Sequence, residues 1–479
     1  MNLLTKEHQP FLYLIIFVAL FRLLVAPNLG LGADEAHYLI YALNLDYSYF
    51  DHPPLVGWVQ YIFTSLFGIG EFGSRVSAIT IGFATSILLY KLVYQIDKNA
   101  KASFIAVLAL HGSFIFNALF LMLMPDTLLF LLIIPIIFVV IKLQKDQKTI
   151  NWIYLGLLLG LAGLSKYTAV LFIIPIILYF IIKKRYDIFY NPKIIISIIT
   201  AFLLIIPVLY WNIENDWISF TYQSNHVVGS TQINWDGFAT SIVGQLLAYN
   251  PLLSFIAFYG LYRAFKSKND TLFLSALFGL VLFLFFTYSS LYKTALPHWS
   301  ALFYLLFIPI GSYYLYDKSS AWKKYLKIAI GFGLLLSSLI YIEVATKIVP
   351  LPDEGSIQLD IYGFETLMKE ANSVIKDPSK EALGVTLWTL ASRAIVYNEK
   401  YDSEVYLIDD RYDQFDIWQK ENPIGKDIII ININFAHKDI AKYMRCDDVT
   451  TLKSFNLQND KSKKDTIDLV KCSNYQGLR

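Results

Sequence analysis

Charge is scarce in this sequence: Asp, Glu, Lys and Arg supply 16% of its 479 residues, where an ordinary soluble chain holds about a quarter. Water is therefore not its main solvent. Cysteine is scarcer still, with Cys446 and Cys472 alone, which excludes a disulfide-dense scaffold. Basic excess is missing as well. A net charge of +2 with no dense basic run excludes nucleic acid as a partner. No small-x-small cleavage site follows the apolar stretch Phe11 to Ala26, so it reads as a retained first helix rather than a signal peptide. No internal period of about 20–50 residues stands out.

What is present is apolar and aromatic. Hydrophobic residues make up 56% of the chain, mean hydropathy is +0.49, and there are 33 Tyr and 35 Phe. About 20 apolar residues span a bilayer core. Spans are expected at 10–26, 74–96, 102–122, 125–141, 151–165, 168–182, 193–211, 241–262, 271–288, 297–316 and 326–343. The short pair at 151–182 has a rival reading as one kinked span, which would invert everything after it.

Cytoplasmic loops are rich in Lys and Arg. With eleven spans and a cytoplasmic N-terminus, Lys98, Lys101, Lys142, Lys145, Lys148, Lys183, Lys184, Arg185, Arg263, Lys266, Lys268, Lys318, Lys323, Lys324 and Lys327 all fall inside. The outside loops before the tail keep mainly Arg75, Lys166 and Lys293. A merged 151–182 would put Lys183, Lys184 and Arg185 outside, so eleven spans are preferred.

The fold expected is an all-α polytopic membrane domain over residues 1–344, followed by a small soluble α/β or α+β domain over 345–479 outside the cytoplasm. From Ala345 onward there are 18 Lys and Arg against 22 Asp and Glu, leaving 22 against 16 before it. The tail pattern reads as an amphipathic helix at 357–376, strands at Glu404–Ile408 and Asp427–Ile433, and a helix over 435–445. No dinucleotide glycine motif, P-loop or metal-spaced His/Cys cluster occurs in it. Cys446 and Cys472 both lie there, in oxidising territory, and are read as one disulfide, with two free thiols as the alternative.

Two outside loops are long, 27–73 and 212–240, and their aromatic content argues against disorder. The first carries Asp34-Glu35-Ala36-His37-Tyr38. Adjacent carboxylates at a membrane surface need partners or a task. The plain reading is a helix start capped by Asp34; the functional one is a general base for an acceptor hydroxyl. Further on, Pro53-Pro54 stiffens the chain after Asp51-His52. That is either a rigid re-entry to the membrane or a device holding Asp51 and His52 toward a polar substrate. Asp126, between Pro125 and Thr127, is a helix cap or a functional acid wedged between apolar spans. Lys166 with Tyr167, His226, Lys293 and His298 with Trp299 are each weak alone. Together with Arg75 they fall on the same side as the acids, which describes a site for an anionic, polyhydroxyl substrate.

These residues resemble a known group. Asp34-Glu35-Ala36-His37-Tyr38 is similar to the Asp-Glu motif of the GT-C membrane glycosyltransferases, nearest to the branch of protein O-mannosyltransferases and lipid A aminoarabinose and galacturonic-acid transferases. Phe50-Asp51-His52-Pro53-Pro54 resembles that branch's aromatic-acidic-x-Pro-Pro stretch. Asp126, Gly163-Leu164-Ser165-Lys166-Tyr167 and Pro297-His298-Trp299 are similar to its later motifs. The likeness covers about residues 10–320 and not the tail.

The resemblance implies a GT-C fold and a sugar donor on a polyprenyl phosphate. It implies transfer with inversion to lipid A, another envelope glycan or a protein hydroxyl, at the outer face of the cytoplasmic (inner) membrane. In it Asp34 is the base, Glu35 and Asp126 orient acceptor or donor, and Arg75, Lys166, Lys293 and His298 face the departing phosphate, with His37, Tyr38, Asp51, His52, Tyr167, His226 and Trp299 lining the substrate. No cofactor is implied, and the sequence names no metal ligands. One departure stands out: the aminoarabinose transferases carry Lys before Pro-Pro, where this chain has His52, which weakens that particular sugar. Two other classes remain, a flippase for a lipid-linked sugar and a scaffold. Nearly charge-free spans and the lack of repeats disfavour the flippase; a scaffold would not need Asp34 or Asp126.

Overall fold

The computed structural model describes residues 2–228, 232–346, 361–419, 423–433, 436–459 and 463–479. In chain order the helices before the tail are α1 (Gln9–Val25), α2 (Ala33–Leu43), α3 (Leu55–Phe67), α4 (Glu71–Tyr94), α5 (Ala100–His111), α6 (Phe114–Leu119), α7 (Pro125–Lys145), α8 (Thr149–Ser165) and α9 (Ile173–Ile182). They continue as α10 (Asp187–Tyr190), α11 (Ile194–Glu214), α12 (Ile218–Val228), α13 (Trp235–Ala248), α14 (Pro251–Phe265), α15 (Asp270–Ser289), α16 (Ala301–Tyr316) and α17 (Ser320–Thr346). Two compact units divide the chain. The first holds Met1–Leu23, Asp46–Val56 and Arg75–Leu339; the second holds Leu24–Leu45, Gly57–Ser74 and Ile340–Arg479.

Among the described residues, seven helices are long and apolar enough to cross a membrane, or eight if the bent pair α13–α14 counts as one. All eleven expected spans fall on helix, but three of them, 102–122, 151–165 and 168–182, fall on shorter apolar pieces. The count of about eleven is compatible with these helices rather than fixed by them. The span expected at 241–262 is not straight: it bends by 97° between α13 and α14. The cause is local. Asn250 adopts φ 70°, caps α14 through Leu252 N–H at 3.1 Å, and is followed by Pro251. Its side-chain amide donates to the Gly112 and Ala329 carbonyls at 3.3 and 2.9 Å.

Polar ties between loops show which helix ends lie together in the first unit. After α8, Lys166 reaches Asp126 at the start of α7, and Ser165 Oγ donates to the Pro125 carbonyl at 2.7 Å. After α9, Arg185 donates to the Gln144 carbonyl near the end of α7. Lys183 pairs with Asp270 at the start of α15, 2.5 Å away. The segment 151–182 therefore makes two opposite traverses, as the Lys and Arg count required. Asn269 and Thr271 bond Gln95 beyond α4 at that same end.

Packing of α14 on α16 depends on glycine. A Cβ on Gly260 would overlap the Phe307 carbonyl, and one on Gly311 the Ile256 carbonyl. Small residues at such a crossing let backbones approach, which is how apolar helices gain dispersion energy in lipid.

The second unit is built on five strands: β1 (Glu381–Val385), β2 (Val405–Leu407), β3 (Asp427–Ile433), β4 (Asp448–Asn459) and β5 (Lys463–Ser473). Their order is β2-β1-β3-β5-β4. β1 is parallel to β2 and β3, while β5 is antiparallel to β3 and β4. β3 is apolar on both faces. Ile429, Ile431 and Ile433 join a core with α18 (Phe364–Asn372) and α19 (Trp388–Asn398), and Ile428 and Ile430 face a second core with Met444 and Cys472. Leu31, Ala36, Leu39 and Ile40 of the first loop belong to the larger core, so the unit reaches well beyond residues 345–479. Two shorter helices complete it, α20 (Gln414–Trp418) and α21 (Ile440–Tyr443).

The expected strands at 404–408 and 427–433 correspond to β2 and β3. The helix expected at 357–376 is α18, with 357–360 outside the described residues. The helix expected over 435–445 reduces to α21, and residue 435 lies outside the described residues. β1, β4 and β5 were not expected, since β4 and β5 read as polar. Cys446 and Cys472 are joined, with Cα atoms 5.3 Å apart.

Candidate functional site

In the first unit, the helix ends opposite the lysine-rich loops bring Asp126 to Lys166 and the stretch carrying Asp51 and His52 to Tyr167. Asp126 is the second residue of α7, behind Pro125 at the first helical position; it is not the cap, which is Met124. Both its oxygens face Lys166 Nζ, at 2.8 and 2.7 Å. Lys166 breaks the chain between α8 and the 3-10 turn Tyr167–Phe172 with extended backbone, which frees its side chain to reach back across the α7–α8 connection. The two side chains are 6% and 12% exposed. Buried ions of this kind persist only when paired.

The stretch 46–53 is anchored point by point to α11 and α12. Trp211 Nε1 donates to Asp46 at 2.9 Å. Ser219 Oγ donates to the Tyr49 carbonyl at 2.8 Å and Gln223 to the Asp51 carbonyl at 2.6 Å. Phe50 packs on Tyr222. A turn closes from Tyr49 N–H to the His52 carbonyl at 3.1 Å, just before Pro53. Its side chains present Asp51 and His52 together, His52 Nδ1 lying 3.0 Å from Asp51 Oδ2, both partly exposed. The Tyr167 hydroxyl meets Ser48 Oγ at 3.1 Å and also engages Ser219 and Asn212. Tyr167, next to Lys166 in the chain, thus ties the stretch to the start of the 3-10 turn.

Other expected residues are placed less tellingly. Arg75 is buried on α4. Lys293 is exposed in the connection after α15, and His298 and Trp299 are half-buried in the 3-10 turn Pro297–Ser300, with Trp299 against Phe286. His226 is on α12, and its side chain lies outside the described residues.

Asp34 and Glu35 belong to the second unit, at the second and third positions of α2. Asp34 does not cap that helix, because the cap is Gly32. Glu35 turns back, its carboxylate accepting the Gly32 N–H at 3.2 Å, and is 1% exposed. That leaves Asp34 as the half-buried carboxylate of the pair. His37 sits among the rings of Tyr41, Trp388 and Phe415, with Ser392 Oγ 3.4 Å from Nδ1, and Tyr38 is buried beside it.

Two groups here escaped the sequence reading. Tyr397 accepts the Leu31 N–H at 3.2 Å and donates to Glu71 at 2.6 Å. Burial, then the Glu71 charge, raises its phenol well above the ordinary value. Asp409 is pushed up to about 6, by burial and then by the Asp413 and Asp416 charges. No local pattern marks Tyr397, because its partners are 366 and 326 residues away, and the burial that dominates at Asp409 comes from the fold. Among the described residues, no three His, Cys, Asp or Glu side chains form a metal-ligand group.

Comparison with known proteins agrees with this architecture. Residues 51–211 match the family described as dolichyl-phosphate-mannose-protein mannosyltransferase. The chain is 26% identical over 255 residues to the lipid A galacturonosyltransferase RgtD of Rhizobium johnstonii, covering 50% of this chain and 50% of that one. It therefore spans about half the length of the curated relative it matches. Among solved structures, ArnT from Cupriavidus metallidurans bound to undecaprenyl phosphate superposes with a TM-score of 0.70 at 12% identity, covering 95% of this chain and 97% of that one. The apo form of the same protein gives a TM-score of 0.67, also at 12% identity and covering 96% and 97%.

Proposed function

We propose, from a chain whose multi-pass architecture is the GT-C fold of membrane glycosyltransferases, that it is an inverting glycosyltransferase. It takes a sugar from a polyprenyl phosphate and delivers it to lipid A or another envelope glycan. The observation that carries this reading is the buried Lys166–Asp126 pair with the clamped Asp51–His52 turn, at the helix ends opposite the lysine-rich loops. RgtD supports the acceptor class and the ArnT complex supports the lipid carrier.

The chemistry balances without a nucleotide. The acceptor hydroxyl oxygen bonds the anomeric carbon, the bond from that carbon to the phosphate oxygen breaks, and the polyprenyl phosphate leaves with the electron pair. Asp34 takes the hydroxyl proton. Lys166 offers its cation to the departing phosphate, as Arg75, Lys293 and His298 do in the same reading. Asp126 holds Lys166 in place and supports positive charge developing on the sugar.

The lysine-rich ends face the cytoplasm, which puts the N-terminus inside and residues 345–479 outside the cytoplasmic (inner) membrane. Reporter fusions after Lys145, Lys268 and Arg479 test that orientation. An inside signal from the last would reject it.

The activity test uses membranes carrying Asp34→Asn and a polyprenyl-phosphate sugar donor. Transfer to lipid A is expected to fall by about 10²–10⁴-fold, the usual contribution of a general base. Unchanged transfer would sink the role of Asp34. Intact transfer with failed donor translocation would favour a flippase, and label on protein rather than lipid A would favour a protein acceptor.

A further inference from the structure

The second unit contains a cavity of about 470 Å³ that none of the steps above uses. Its walls come from the end of α2 (Ile40, Leu43, Asn44), the end of α19, the edge strand β2 and α20. That volume is typical of small-molecule sites, which run about 300–1,000 Å³.

Three features of the lining define what it takes. First, the rings of Tyr401, Tyr406, Phe415 and Trp418 contribute to it, giving broad apolar faces. Second, Glu399 and Glu404 line it, while no lining residue among those described is Lys or Arg. Glu404 already accepts from Tyr406 Oη at 2.7 Å and Lys426 Nζ at 2.5 Å; Glu399 is exposed. Carboxylates accept hydrogen bonds and donate none when ionised, so the lining repels phosphate and welcomes hydroxyl or ammonium donors.

Third, β2 is an edge strand. Glu404 O and Ile408 N–H bond β1, at 2.9 and 2.8 Å. Alternation along a strand then turns the polar groups of Val405 and Leu407 to the open edge. The Gln419 amide takes both groups of Leu407, accepting its N–H at 2.6 Å and donating to its carbonyl at 3.2 Å. Val405, which lines the cavity, is left to offer one N–H and one C=O there. A peptide adding as a strand would find the next register position already held by Gln419.

We infer that this cavity seats one neutral or amine-bearing sugar ring of the acceptor glycan, other than the ring whose hydroxyl is glycosylated. The aromatic faces take the apolar side of the ring, and Glu399, Glu404 and the Val405 backbone take its hydroxyl or ammonium groups. The inference rests on the glycosyltransferase reading for its acceptor, but the cavity can be assayed without transfer.

The test uses the full chain in detergent micelles, as wild type, Glu399→Ala, Tyr401→Ala and Trp418→Phe. The probe is an unphosphorylated glucosamine disaccharide, titrated by calorimetry, with inorganic phosphate as competitor. Melting temperatures close to wild type establish that each variant is folded. Removing one ring contact is worth about 0.5–1.5 kcal/mol, so Kd is expected to rise roughly two- to tenfold in Tyr401→Ala. Acceptor KM should rise in step, with kcat and donor KM unchanged. No binding by the wild type, an unaltered Kd in both alanine variants, competition by phosphate, or binding of an extended peptide in place of the disaccharide would each overturn the assignment. If wild type transfers no sugar while Kd responds to the variants, the glycosyltransferase reading fails and the cavity stands. If transfer proceeds with Kd and KM unaltered, the cavity fails and that reading stands.

Discussion

Replacing Lys166 with Met leaves the Asp126 carboxyl with 6% of its side chain exposed and no ammonium at 2.7 Å. Water cannot take over that role at such burial, so the single change is expected to destabilise by about 3–5 kcal/mol. Asp126→Asn leaves the ammonium stranded and costs a similar amount. The double replacement strands no charge. It should recover most of the loss, because a buried pair exchanged for neutral groups of similar size is often close to neutral in stability. The double-mutant cycle should therefore return a coupling of about 5 kcal/mol or more, above the usual range for contacting residues. Denaturant unfolding of the detergent-solubilised chain, with each variant measured against wild type, gives the four corners. Transfer from a polyprenyl-phosphate donor is then measured on the same samples. A pair that serves the donor leaves the double variant folded and inactive. Single changes costing under about 1 kcal/mol, or adding without coupling, would refute the argument from burial. Recovered transfer in the double variant would refute the functional role and leave a structural clasp.

Three further outcomes follow from other parts of the molecule. Gly311→Val, whose side chain would run into the Ile256 carbonyl, should sharply reduce the yield of folded protein, while Gly331→Val, with nothing within 4 Å, should not; size-exclusion profiles after solubilisation compare them. Cys446→Ser opens a bridge spanning 26 residues and should lower stability by about 3 kcal/mol on loop entropy, read as an earlier melt of the wild type under reductant that the variant does not share. Asp409 is raised from 3.8 to about 6, so between those values the folded chain holds a proton that the unfolded chain has lost. Stability should fall as pH rises through that window. Asp409→Asn should flatten the melting-temperature profile there, and an unchanged profile would refute the assignment.

The sequence alone determined the solvent and the helices. Scarce charge and long apolar runs require a bilayer, and the expected spans fall on helices, seven or eight of them long enough to cross among the described residues, because an unpaired backbone is intolerable in lipid. Lys and Arg placement also settled a matter of three dimensions, the two opposite traverses of 151–182, which the Lys166–Asp126 and Arg185–Gln144 contacts display. Motif spacing singled out Asp126, Lys166 and Asp51 as well, since an ion in an apolar context is conspicuous in one dimension. Tertiary structure decided the rest. Nothing local says that Asn250 bends one expected span by 97°, because the partners of its amide are 138 and 79 residues away. Nor does local pattern assign α2 to the core of the tail. Leu31, Ala36, Leu39 and Ile40 form an apolar stripe that would suit a membrane surface equally well, and they become part of a soluble-type core only where α19 and β3 supply the other side. The same long-range packing took Glu35 and His37 inward and left Asp34 half-exposed, a distinction between neighbours that residue type cannot make and burial can.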